Sequence, residues 1–111
     1  MITITEDYCN YTVVKMLIER GFNSDWVKGV KPTIQMALKF LRVVYGLNII
    51  VIYGSAKWCY AIHDIKNLKQ AIDAKDGFET YDRAIETALI NALDSIKVQG
   101  VFGTLHSCYH D

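Results

Sequence analysis

The segment LHSCYHD, residues 105–111, sets His106, Cys108 and His110 two residues apart. In an extended chain all three side chains point to one side, and imidazole with thiolate is a ligand set that zinc prefers. In a helix, Cys108 swings away from the two histidines. Zinc also needs a fourth ligand, and the structural zinc sites legible in a sequence carry two close ligand pairs, which this chain lacks. His106, Cys108 and His110 therefore stand as candidate ligands only; no metal is assigned and no cofactor is expected.

Other chemistry is as sparse. His63 precedes Asp64 in a β-like segment, but neighbours in a strand point to opposite faces and cannot form a base with its orienting carboxylate. The stretch Gly54-Ser55-Ala56-Lys57 lacks the flanking glycine and strand-to-helix setting of a hydrolase elbow, and it is not a phosphate loop. Cys9, Cys59 and Cys108 are odd in number and widely spaced, so they build neither a disulfide framework nor a CxxC motif. No catalytic residue is assigned; a small hydrolase or metal-dependent enzyme using the tail or His63 is carried as a third reading.

The elements that would position these residues follow from composition and pattern. At 111 residues the chain fits one domain with a core of its own, and 51% hydrophobic with 22% charged residues is the balance of a globular protein. The longest apolar run, Ile49 to Tyr53, is too short to span a bilayer, and the first seven residues carry no secretory pattern. With its reduced-type cysteine usage the chain is expected to be cytoplasmic. Twelve bases balance twelve acids, which argues against a surface built wholly for nucleic acid. The charges are unevenly placed, with a surplus of three bases over residues 32–77 and of three acids over residues 78–111.

A helix is expected over residues 6–20, capped by Thr5, with Val13, Val14, Leu17 and Ile18 as its apolar stripe and Gly21 as its stop. Trp26 and Val27, in the polar connection that follows, are expected to fold back onto the core. A second helix begins at the cap Thr33 after Pro32 and ends at Gly46. It carries one stripe of Ile34, Ala37, Leu38, Leu41, Val44 and Tyr45, and a second of Met36, Phe40 and Val43. Residues 47–53 and 58–65 read as β-branched and aromatic strands joined by a hairpin loop. Residues 66–77, with only Leu68, Ala71 and Ile72 as apolar anchors, read as a loop with a helical turn. The last helix, residues 78–97, is capped by Thr80, and alanines 84, 88 and 92 lie one turn apart on its buried face.

The expected fold class is α+β: a small antiparallel sheet with about three helices packed on one face, in the order α-α-β-β-α. Residues 1–97 form the domain, and residues 98–111 a tail or an edge strand. Two strands alone are marginal, so a third is expected from the tail, from residues 66–77 or from a second copy.

Three segments, PTIQMALKFLRVVYGLNI, WCYAIHDI and GFETYDRAIETALINAL, resemble a family of short proteins of Bacteroides-type bacteria and their prophages and other mobile elements. The resemblance spans about residues 31–93: a Pro-Thr cap opening a Met-Ala-rich helix, a Trp-x-Tyr strand, and a tyrosine-capped, alanine-rich helix. Arg83 departs from it, standing where an acidic residue is usual. The resemblance implies a small accessory protein that acts by binding, such as an inhibitor of a host defence system of the anti-CRISPR kind. The expected contact surface is the second stripe, Met36, Phe40 and Val43, rimmed by Lys39 and Arg42; the alternative is that this stripe is ordinary core, in which case Phe40→Asp destroys folding. Its partner would be a host protein or a second copy in a homodimer, with no membrane involved. The alternative is an RNA- or DNA-binding module that uses Lys39, Arg42, Lys57, Lys66 and Lys69 for phosphates and Trp58 for stacking.

Overall fold

A computed structural model describes residues 8–22 and 32–96. Three helices and a three-stranded antiparallel sheet make an α+β fold. The metal candidates His106, Cys108 and His110, the cap Thr5, Trp26 and Val27, and the tail from residue 97 lie outside the described residues.

Helix α1 is Tyr11–Glu19, shorter at its start than the pattern suggests. Asn10 is the cap, its Oδ1 accepting from the Val13 N–H at 2.9 Å. Upstream, the Cys9 N–H donates to the Pro32 carbonyl at 2.9 Å and Tyr8 bridges Thr33 in antiparallel fashion. That pairing holds Tyr8 and Cys9, inside the expected helix, in an extended conformation. Val13 and Leu17 are buried, while Ile18 at the stripe's edge is half exposed.

Helix α2, Ile34–Phe40, starts as expected, with Thr33 Oγ1 accepting from the Met36 N–H at 3.1 Å. It then widens into one π-helical turn, Leu41–Tyr45. Gly46 ends the turn with φ +67°, a left-handed conformation in which a side chain would be strained. The wider turn changes which residues share a face. Tyr45, five residues after Phe40, packs edge-on against it with ring centroids 5.6 Å apart, and Val43 and Val44 are left facing solvent.

Strands β1, Leu47–Gly54, and β2, Lys57–Asp64, pair from Gly54↔Lys57 to Leu47↔Asp64. Strand β3, Asn67–Phe78, corrects the loop expected over residues 66–77. It runs antiparallel to β2 with three register shifts, each leaving extra residues unpaired, so no two-residue alternation survives in its sequence. Of the three sources weighed for a third strand, it comes from residues 66–77.

Helix α3, Tyr81–Asp94, is capped by Thr80, whose Oγ1 accepts from the Arg83 N–H at 3.1 Å. Alanines 84, 88 and 92 are fully buried, and their small side chains let the helix lie close on its partners. Leu89 and Leu93 on the same face are also fully buried, and each such burial stabilises the fold by about 2 kcal/mol. One core results: α3 over Leu47, Ile49, Val51, Tyr60, Ile62 and Phe78 of the sheet, with Val13 and Leu17 of α1 and Ile34, Ala37 and Phe40 of α2 joined to it. No helix among the described residues is long and apolar enough to cross a membrane.

Candidate functional site

The pleat that sends Ile49, Val51, Tyr60 and Ile62 into the core sends Ile50, Ile52, Cys59 and Ala61 to the other face. None of these four belongs to the core cluster, and Ile50 and Ile52 are 43% and 56% exposed. With Ala74, Lys75 and Asp76 of β3 they line an open groove of about 380 Å³. Its floor is aliphatic, and the Cys59 thiol is turned back to the Ile52 carbonyl at 3.5 Å. A lysine and an aspartate at one side are its only charged lining. This is chemistry for burying apolar surface with a polar rim, and it supplies no acid, base or nucleophile pair.

On the helix-covered face the polar groups are used up structurally. The Tyr60 hydroxyl donates to Asp73 Oδ2 at 2.8 Å and accepts from Asn91 Nδ2 at 2.6 Å. Burial pushes the Tyr60 phenol above its ordinary value; the Asn91 hydrogen bond opposes that rise, and the Asp73 carboxylate adds to it. A neutral phenol then ties β2 to β3 and to α3. No sequence pattern announced this trio, because its members stand on three elements.

His63 stands opposite Asn48 and Ala71, its buried Nδ1 without a hydrogen-bond partner among the described residues, so nothing orients the ring for proton transfer. Asp64 points elsewhere, its Oδ1 accepting from the Lys66 N–H at 2.9 Å in the β2–β3 turn. Among the described residues no three histidine, cysteine, aspartate or glutamate side chains gather where they could hold a metal ion.

The expected binding stripe divides. Phe40 is only 6% exposed, wedged edge-on between Phe22, at 5.2 Å between centroids, and Tyr45. It is core and cannot be contact surface. Met36 is half-buried, its sulfur taking the Thr33 N–H at 3.5 Å. Val43 is 69% exposed, and Lys39 and Arg42 are exposed beside it. The π turn is the physical reason, since it advances Tyr45 rather than Val43 or Val44 onto the face that Phe40 occupies.

The basic residues also divide. Lys57 lies at the β1–β2 hairpin, ion-paired with Glu79, and Trp58 is stacked edge-on between Tyr53 and Tyr81. Lys66 and Lys69 lie at the opposite end of the sheet, one strand length away, about 25 Å for eight residues. There the Ile65 N–H donates to the Gly46 carbonyl at 2.8 Å, which brings the end of the π turn that carries Arg42 beside the Lys66 turn. The six residues do not form one strip.

No protein-family model, no curated protein and no solved structure matches this chain.

Proposed function

We propose that this chain works by binding another protein through the outward face of its sheet, and that it is not an enzyme. The observation behind the reading is that Ile50 and Ile52 are about half exposed in a row with Cys59 and Ala61, on a face that the core does not use. Val43 and Val44, beside the exposed Lys39 and Arg42, are a separate exposed apolar surface on the π turn. The narrower reading, an inhibitor of a host defence system carried by a phage or mobile element and acting in the cytoplasm, is supported by the pattern resemblance over residues 31–93. Nucleic-acid binding is the second reading, favoured by Arg42, Lys66 and Lys69 standing at one end of the sheet.

The test is affinity capture of the full chain, tagged, from lysate of cells that encode it, with and without nuclease, beside an Ile52→Lys variant. A protein retained after nuclease and released by Ile52→Lys supports the reading. A partner captured equally by the variant removes the outward face from it, and a partner lost on nuclease treatment transfers the function to the basic end.

A further inference from the structure

We infer that β1 pairs antiparallel with β1 of a second copy about a two-fold axis, joining two three-stranded sheets into one of six strands. The inference goes beyond the proposed function, since it concerns the backbone at the sheet edge and holds for any partner on the outward face. The sheet order β1-β2-β3 leaves β1 and β3 as edges. Natural edges are protected by charges, bulges or short length. Strand β3 has such protection: three register shifts, with Lys69, Asp73, Lys75 and Asp76 along it. Strand β1 has none. Its eight residues, LNIIVIYG, contain no charge and no proline, and its pairing with β2 runs without a shift.

The ladder fixes which groups are available. Gly54 and Lys57 flank a two-residue turn, so that pair exchanges both its hydrogen bonds, and alternate pairs back to Asn48↔His63 do the same. The N–H and C=O groups of Leu47, Ile49, Val51 and Tyr53 therefore point away from β2, and no described residue pairs with them. Such a row accepts a strand, whose own N–H and C=O groups alternate at the same spacing. A second β1 suits it by charge as well, since β1 carries no charged side chain and its self-pairing sets no charge against a like charge. The register that uses all four residues pairs Leu47 with Tyr53 and Ile49 with Val51, which sets Ile50 on the axis, opposite Ile50 of the second copy. The outward faces then run together, with Ile50 and Ile52 of both copies at the seam.

In sedimentation at about 100 µM, where a moderately tight dimer is populated by mass action, the full chain is expected at twice the 12.6 kDa monomer mass. Ile50→Lys, on a half-exposed side chain, sets two ammonium groups opposite each other and returns the species to monomer. A second variant removes dependence on that substitution. In a Cys59→Ala, Cys108→Ser background, Ile50→Cys sits in a pair without mutual hydrogen bonds, about 4.5 Å between Cα atoms, within disulfide range. It is expected to cross-link on mild oxidation. Ile52→Cys faces Asn48 of the second copy and lies about 13 Å along the strands from its own counterpart, so it is not. A monomer at that concentration, including one whose own residues 97–111 occupy the edge, overturns the inference, as does Ile52→Cys cross-linking as fast as Ile50→Cys.

Discussion

The Nε of Arg20 donates to the carbonyl oxygen of Leu93 at 2.5 Å, joining the end of the first helix to the end of the last. The same guanidinium donates from Nη1 to the Met16 carbonyl at 3.3 Å and to Glu19 Oε1 at 3.2 Å. Met16 and Leu93 lie in the last turns of α1 and α3, where the helix dipole is negative, and their carbonyls also accept the backbone N–H groups of Arg20 at 3.2 Å and Ile96 at 3.0 Å. One buried cation thus serves two helix ends, and the Arg20 carbonyl takes the Tyr45 hydroxyl at 2.5 Å, which ties in the π turn. Arg20→Ala removes the charged hydrogen bonds that join the two helix ends while each carbonyl keeps its backbone donor, so it is expected to cost about 1.5–3 kcal/mol in urea unfolding. Arg20→Lys, a point charge that cannot reach both carbonyls in one fork, is expected to fall between the two. Equal stability of Arg20→Ala and the parent would remove the role assigned to the pair.

Tyr60 carries a prediction in pH. Its phenol is raised above the ordinary value of 10.0, first by burial, so the folded state holds that proton more tightly than the unfolded chain does. The sign follows: below 10 the contribution is fully present, and it is lost as pH rises through 10 toward the folded value, because the unfolded chain gives up its proton first. The urea midpoint is therefore expected to fall from pH 9 to pH 11 more steeply in the parent than in Tyr60→Phe. The variant also leaves Asp73 and Asn91 without the hydroxyl, at a cost of about 1–3 kcal/mol at pH 7.

The β1–β2 hairpin turns on Ser55 and Ala56, both with positive φ, +54° and +66°. Hairpin turns of two residues with positive φ at both favour Asn-Gly, because other side chains crowd the backbone there. Ser55→Asn with Ala56→Gly is expected to raise stability by about 1 kcal/mol, read as a higher melting temperature, and Ala56→Val to lower it by a similar amount. No change in either would mean the turn carries no strain.

How far the sequence disclosed this molecule depended on whether local pattern and tertiary environment agreed. In α3 they agreed: the Thr80 cap and the alanine row needed only a sheet to lie on. In β3 they disagreed, since NLKQAIDAKDGF has few strand-forming residues, and its register shifts erase the alternation a reader would look for. What holds it is β2 beside it and the Asp73 bond to Tyr60, neither visible from its own residues. The outward face was half legible. The alternation of Cys59 and Ala61 against Trp58, Tyr60 and Ile62 separated the two faces of β2, but which face the helices cover depends on packing across the whole chain.

The binding stripe expected along α2 failed at one residue, and that residue supplies the sharpest test of the π turn. A regular α-helix would place Phe40, Val43 and Val44 on adjoining parts of one surface. The wider turn instead packs Tyr45 against Phe40 and sends Val43 outward, 69% exposed against 6% for Phe40. Phe40→Ala is expected to cost about 3–5 kcal/mol, since the ring fills the space between Phe22 and Tyr45, and Phe40→Asp is expected to abolish cooperative unfolding. Val43→Asp, three residues on, is expected to stay within about 0.5 kcal/mol of the parent. Thermal melts of the three variants followed by far-UV circular dichroism decide the matter. A Val43→Asp protein as damaged as Phe40→Asp would mean that the helix continues regularly through residue 45 and that Val43 packs inward with Phe40.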